Sequence, residues 1–227
     1  TLAEEFKLRQ EQIDNKMREL SQKRAIAAMP VAGSYRAIDF ALSNMSNSHI
    51  QKVAVLTQYN AKSLNEHLNS SKWWNFGRKQ GGLFVFTPTI THDNEYWYRG
   101  TADAIYQNLE FIERYDPDYV LILSGDHIYR MDYRKMLDAH KATGAACTVA
   151  TITVPMDEAS RFGICNTNPD GSIYEFEEKP KKPKSTNASM GIYVFNWKVL
   201  REALIADEDD EKSSNDFGKN IIPGLLN

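Results

Sequence analysis

The chain has no surplus of positive charge: 27 Lys and Arg stand against 30 Asp and Glu, a formal net charge of −3. Nucleic acid and anionic membranes recruit proteins through a basic excess, so neither is expected as a partner. Cysteine is scarce. The two present, Cys147 and Cys165, lack the C-x-x-C spacing of metal or redox sites, which predicts free thiols in a reducing, cytosolic compartment. No apolar run approaches the roughly 18 residues needed to span a bilayer, and the N-terminus lacks the apolar core of a secretory signal. A soluble cytoplasmic chain is the expectation. There is no Ser-His-Asp arrangement, no zinc-ligand spacing and no Walker A loop. Residues 1–22 contain no glycine.

What remains is ordinary globular composition. Hydrophobic residues make up 42% and charged residues 25% of 227 positions, enough to bury a substantial core in one α/β domain. The most informative stretch is Tyr119-Val120-Leu121-Ile122-Leu123-Ser124-Gly125-Asp126-His127. Five apolar residues without polar alternation read as a strand buried on both faces, in the middle of a parallel sheet covered by helices. The run breaks at Ser124-Gly125 and delivers a carboxylate. In open α/β sheets ligands sit outside the carboxyl ends of strands, so Asp126 is a candidate for metal or phosphate work. Asp132, just before the helical pattern Tyr133–Lys141, reads as a helix cap.

Along the chain, apolar spacing in residues 1–22 predicts an amphipathic helix, followed by a single domain over 23–227. Val53–Thr57, Leu83–Phe86, Cys147–Val154 and Met190–Phe195 are strand-like. Phe162–Asn166 and Ile173–Phe176 form a hairpin pattern about the turn Asn168-Pro169-Asp170-Gly171. A helix of about three turns is expected to end at Glu113, and another over Lys198–Ala206. The acidic run Asp207–Ser214 reads as a solvated connection. Alternating strands and helices predict a mixed, mostly parallel sheet flanked by helices.

Chemistry-bearing residues cluster at the ends of these elements. Asp216, in Asn215-Asp216-Phe217-Gly218-Lys219, is either a helix N-cap or a second carboxylate sharing one Mg²⁺ with Asp126. Glu178-Lys179 closes a strand, and a lysine there can hold a phosphate as a point charge. The Gly100-Thr101-Ala102 turn offers N–H groups at a helix start for an anion. Gly163 can admit a ligand close to the backbone or serve a turn. His127 reads equally as a loop-holding or a substrate-facing side chain, and the four tryptophans as core or cover.

Taken in order, several stretches resemble the catalytic domain of the ADP-glucose pyrophosphorylase (glucose-1-phosphate adenylyltransferase) family. They are Tyr35–Phe40 with Leu42-Ser43-Asn44, Leu56–Tyr59, Trp97–Ala104, Ser124–Tyr133, Ser160–Gly163, Phe176–Pro180, Ala188–Tyr193 and Asp216–Lys219. The resemblance implies a glycosyltransferase-A-like nucleotidyltransferase fold. It implies the reaction of ATP with glucose 1-phosphate to give ADP-glucose and pyrophosphate, with Mg²⁺, in glycogen or starch synthesis, and assembly into a homo- or hetero-oligomer. Carried over by position, Asp126 and Asp216 match the family's metal-binding acids, and Asp126 the catalytic one. Lys179, also taken as catalytic, and Glu178 match the glucose-1-phosphate contacts, while Gly163 and Ser189 line the sugar. Tyr98, Gly100 and Gln58 match positions near the nucleotide.

The sequence also departs from that pattern. The family's Gly-rich loop, which cradles the triphosphate, has no counterpart in residues 1–22. The following lysine that contacts phosphate in the family stands here as Ile26. No β-helix sequence follows. Two rivals to the enzyme reading result: a non-catalytic regulatory subunit of the same complex, and a nucleotidyltransferase for another sugar or base.

Overall fold

The computed structural model describes residues 25–31, 33–69, 74, 76, 81–89 and 97–226. The amphipathic helix expected over residues 1–22 lies outside them. The described residues group into two compact units. One comprises those up to Thr87 together with Gly125–Tyr133, and the other holds Pro88–Ser124 and Arg134 onward.

In the first unit, β1 (Pro30–Val31) pairs antiparallel with β2 (Tyr35–Arg36), and β3 (Lys52–Leu56) pairs parallel with β4 (Gly82–Phe86). Helix α1 (Ala37–Asn47) and α2 (Lys62–Leu68) accompany them. The α1 start is capped by Asp39, whose Oδ2 accepts the Arg36 amide at 2.9 Å, satisfying a donor that the first turn would leave orphaned. The Arg36 guanidinium donates to the Ser63 carbonyl and hydroxyl, each at 2.8 Å, and His67 Nε2 lies 2.6 Å from Asp39 Oδ1. These two contacts tie α2 to the start of α1. Beneath them Ala28, Ile38, Leu42, Val53, Leu64, Leu68, Trp74 and Phe76 form one apolar cluster.

The second unit contains helices α3 (Thr101–Tyr106), α4 (Leu109–Glu113), α5 (Tyr133–Thr143, all but its first residue) and α6 (Trp197–Glu208). Its five strands are β5 (Tyr119–Leu123), β6 (Cys147–Thr153), β7 (Gly163–Thr167), β8 (Ile173–Glu178) and β9 (Asn187–Asn196). The ten-residue β9 is the hub. Its upper half pairs with β5, its length pairs with β6, and Ala188 pairs with Ile164 of β7, which in turn pairs with β8.

Helices and strands alternate as the sequence predicts, and the sheet content is mixed. The balance of directions differs: among the described residues only β3–β4 is a parallel pair, and all pairings in the five-stranded sheet are antiparallel. The reason is β9. It runs back between β5 and β6, which point the same way and each pair with it rather than with each other. Alternating composition records the order of elements, not the late strand that inserts among earlier ones. β5 is a strand over the expected residues, yet each of its five residues is half-buried rather than fully enclosed.

The expected three-turn helix ending at Glu113 is broken in two at Gln107-Asn108. Asn108 Nδ2 donates to the Ala104 carbonyl at 2.8 Å, offering that carbonyl a side-chain partner in place of the helical amide. The hairpin forms as expected, with Gly171 at φ 86° and Asp170 Oδ1 accepting the Ser172 amide at 2.9 Å. The core of this unit gathers Cys165, Phe176, Tyr193, Phe195, Trp197, Leu200, Leu204 and Phe217, with Cys147 packed on its edge. Trp74 and Trp197 are core residues, whereas Trp97 is 58% exposed.

Two outcomes are expected from this core. Leu200 is fully buried, so Leu200→Ala should cost about 2–5 kcal/mol in denaturant unfolding, as other core truncations do. Both cysteines are free. Burial pushes each thiol up to about 12, with the neighbouring Cys165 adding to the effect on Cys147. Only the thiolate reacts, so neutral iodoacetamide should leave the native protein unlabelled and label both sites after unfolding.

Candidate functional site

Of the sequence-predicted site residues, Gln58 and Asp126 lie in the first unit. Tyr98, Gly100, Gly163, Glu178, Lys179, Ser189 and Asp216 lie in the second. Each set is built by local chemistry of its own unit.

Asp126 follows β5 on a segment without regular structure, its side chain 40% exposed, with His127 Nε2 3.9 Å from its Oδ1. The His127 ring stands edge-on to Tyr129, so this histidine faces its own loop. Gln58, half-buried, sits just past the end of β3.

In the second unit Glu178 and Lys179 come off the end of β8. The Glu178 carboxylate reaches a spot bare of side chain on two sides. A Cβ on Gly163 would stand 2.8 Å from its Oε2, and one on Gly218 2.5 Å. Both glycines therefore make room for this carboxylate, and Gly163 also for the Phe176 ring, whose Cζ a Cβ would meet at 2.5 Å. Neither a ligand approach nor a turn, the two readings open for Gly163 from sequence, is what this contact shows. Lys179 Nζ lies 3.4 Å from Glu178 Oε1 and is two-thirds exposed, and the Lys179 amide donates to the Phe162 carbonyl at 3.1 Å. Ser189 on β9 accepts the Gly191 amide at 3.2 Å, and its Oγ is 3.4 Å from the Tyr193 hydroxyl. Burial pushes the Tyr193 phenol up to about 12. The Tyr193 ring stacks on Phe217 at 5.8 Å between centroids.

Asp216 is an N-cap. Its Oδ1 accepts the amides of Gly218 and Lys219 at 2.9 and 3.1 Å, opening a single π-type turn at Phe217–Ile221. The other oxygen, Oδ2, lies 3.3 Å from the Thr101 hydroxyl, which itself accepts the Phe217 amide at 3.2 Å. Capping and metal binding were alternatives from sequence; here one oxygen caps and the other faces a hydroxyl.

The Gly100-Thr101-Ala102 turn does not offer the anion site expected of it. The Ala102 amide donates to the Asn215 carbonyl at 2.8 Å, and a Cβ on Gly100 would fall on that same oxygen. Gly100 is required for the approach of another backbone. Tyr98, half-buried, accepts a hydrogen bond from Asn108 Nδ2 at 3.1 Å. Burial, the dominant effect, raises its phenol above the ordinary range, against the opposing pull of the Asn108 bond.

Asp207 and Asn215 were not singled out from sequence. Asn215 is buried in the left-handed region at φ 52°, and its Nδ2 donates to Asp207 Oδ2 at 3.2 Å. Ser213 Oγ donates to Asp207 Oδ1 at 2.6 Å. The acidic run is thus pinned at its start rather than merely solvated. Asn is among the few residues that enter αL readily, and that is the signal in Asn215-Asp216 that a turn precedes the cap.

The donors available suit a hard cation. Asp126 and Asp216 each present carboxylate oxygen. Among the described residues no group of three or more His, Cys, Asp or Glu is gathered as a cage. Mg²⁺ can be held by a single carboxylate, with water and substrate phosphate completing its octahedron, so a lone carboxylate in either unit suits it better than it suits zinc. Among the described residues no helix is long and apolar enough to cross a membrane.

A family model described as nucleotidyl transferase matches residues 15–227. Among curated proteins, the glucose-1-phosphate adenylyltransferase of Clostridium perfringens (strain 13 / Type A) is 62% identical over 208 residues, 92% of this chain and 53% of that protein. The proteins so named in Clostridium beijerinckii and Clostridium acetobutylicum are 59% and 56% identical, over 91% and 92% of this chain and 54% and 55% of their own lengths. The chain spans about half the length of the curated relatives it matches. Nucleotidyl transferases of this kind generally use a divalent metal.

The double duty of Asp216 gives a stability test. Asp216→Asn keeps an oxygen for the two capping amides and should change unfolding free energy by a few tenths of a kcal/mol. Asp216→Ala removes the cap and should cost about 1 kcal/mol. Urea unfolding of the two variants side by side reads the difference.

Proposed function

This chain belongs to the nucleotidyl transferase family, and from that premise we propose that it carries the catalytic half of a glucose-1-phosphate adenylyltransferase. The reaction joins ATP and glucose 1-phosphate into ADP-glucose with release of pyrophosphate, in glycogen synthesis. The observation that carries this reading is the grouping of Lys179, Glu178 and the Asp216 cap about Gly163 and Gly218, in a chain 62% identical to a protein of that name.

The chemistry needs no protein nucleophile. A phosphate oxygen of the sugar phosphate forms a bond to the α-phosphorus of ATP, and the bond from that phosphorus to the bridging oxygen of pyrophosphate breaks. Positioning and charge neutralisation then carry the rate, and well-oriented reactants recover roughly 7–11 kcal/mol of barrier. Lys179 holds the sugar phosphate by its ammonium. Glu178 accepts hydrogen bonds from sugar hydroxyls, in the space left by Gly163 and beside Ser189. Tyr98 in the second unit and Gln58 in the first are each a candidate nucleotide contact, and Gly100 lets the Asn215 backbone approach. Asp126 in the first unit and Asp216 in the second are each a candidate carboxylate for Mg²⁺, which would neutralise charge on phosphate oxygens when bound.

A second reading, a regulatory subunit working beside a catalytic homologue, is favoured by one residue. Ile26 is 51% exposed at the position where the resemblance expects a phosphate-contacting lysine.

Pyrophosphate release from ATP and glucose 1-phosphate, measured with Mg²⁺ and with each component omitted, separates the two. The enzyme reading expects turnover by this protein alone. It expects Asp126→Asn to lose at least 10²–10³-fold in kcat, on the scale of removing one preorganised stabiliser of developing charge. Lys179→Ala should raise KM for glucose 1-phosphate roughly 10–150-fold, the worth of a charge-assisted bond of about 1.5–3 kcal/mol. Turnover only in mixtures with a catalytic homologue would favour the regulatory reading.

A further inference from the structure

The segment Gly125–Asp132, which carries Asp126, has neither helix nor strand. Its hold comes from one face of α1. Asn44, only 6% exposed, donates from Nδ2 to the Tyr129 carbonyl at 3.0 Å and accepts the Met131 amide on Oδ1 at 3.3 Å. Both ends of its amide are therefore spent on this one segment, some 85 residues away in sequence. Ser48, one helical turn further and 5% exposed, accepts the Tyr133 amide at 2.9 Å and lies 3.4 Å from Asp132 Oδ1. The Tyr129 and Tyr133 hydroxyls bond to each other behind it, and burial, with that bond, raises the Tyr133 phenol well above its ordinary value.

We propose that Asn44, seconded by Ser48, is a positioning residue for Asp126: it fixes the backbone of the acid-bearing segment while touching no substrate. This rests on the function proposed above, because it concerns the same carboxylate. The physical argument is direct. A buried amide whose donor and acceptor both go to loop backbone leaves a costly unsatisfied group if the loop moves away. That gives the segment one favoured position where no ladder defines it. Catalytic carboxylates need placement to about 0.5 Å, and a displacement near 1 Å costs about 10²-fold in rate.

The test uses the full-length protein with Asn44→Ala, Ser48→Ala and, as a stability control from the other unit, Leu200→Ala. Amide hydrogen exchange at Met131 and Tyr133 reads the lock, and steady-state pyrophosphate release reads the consequence. In Asn44→Ala, exchange at Met131 should rise at least tenfold. Its kcat should fall about 10²-fold while KM for glucose 1-phosphate stays within twofold, since Lys179 and Glu178 belong to the other unit. Ser48→Ala should show the same pattern at Tyr133 with a smaller fall, and it keeps the test alive should Asn44→Ala fail to fold. Unchanged exchange, or faster exchange with wild-type kcat, overturns the positioning role while the proposed activity stands. An equal kcat loss in Leu200→Ala also overturns it, because the effect would then be general destabilisation. Absence of turnover in the wild-type protein fells the proposed activity, and the positioning role with it.

Discussion

Strand β9 is the constraint on which the larger unit depends. Ten residues long, it is the neighbour that β5, β6 and β7 share, and its ladder decides where each of them ends. Ile192, Tyr193, Val194 and Phe195 are all buried, so this half of β9 is covered on both faces, and a slip of one residue would exchange the side chains packed on each. At one end Asn196 accepts His140 Nε2–H at 3.1 Å and donates to the Ala145 carbonyl at 3.2 Å, while His140 Nδ1 takes the Thr148 hydroxyl at 2.7 Å. A fully bonded, buried imidazole thus joins α5, β6 and β9. At the other end Ser189 stands among the proposed sugar contacts. Register in the core and placement of the site are one requirement.

Both acids proposed for metal are placed in part by polar side chains from far along the chain, beside local bonds such as those from the Gly218 and Lys219 amides to Asp216. Asp216 is set by Thr101 and, through Asn215, by Asp207; the segment of Asp126 is set by Asn44 and Ser48. Buried polar contacts of this kind contribute modestly to stability when complete and cost much when half made. They favour one arrangement of a loop over many near-equal ones, which is what a site working by position requires.

That division also explains what could be read from the sequence. Hydrophobic runs and turn chemistry are local, and they located β3–β8, the hairpin and α6 within a residue or two, and β9 without its first three residues and its last. The α/β architecture is consistent with the glycosyltransferase-A-like nucleotidyltransferase fold. The acids at strand and helix ends were visible because Gly-Asp and Asn-Asp are local signals as well. What stayed hidden was long-range. The antiparallel insertion of β9, the approach of Asn215 to Gly100 and the grip of Asn44 on Tyr129 each join residues with no shared pattern. The break at Asn108 was local yet missed, because a helix-period count gives no weight to a side chain competing for its own backbone carbonyl.

Lys179 carries the last step. Among the described residues, five other than glycine have positive φ: His49, Asn60, Asp116, Lys179 and Asn215. Four are of the types enriched in that region, where a short polar side chain can bond locally. Lysine has no such compensation, so its φ of 50° carries strain on the order of 1 kcal/mol or more. Fold alone would favour glycine or asparagine here. The bend is imposed by the Lys179 amide bonding back to Phe162 as β8 closes against β7, and it turns the following chain away from the strand direction. An ammonium kept at a site hostile to its backbone, next to a carboxylate for which two glycines make room, accords with the sugar-phosphate contact proposed for it rather than with a role in stability.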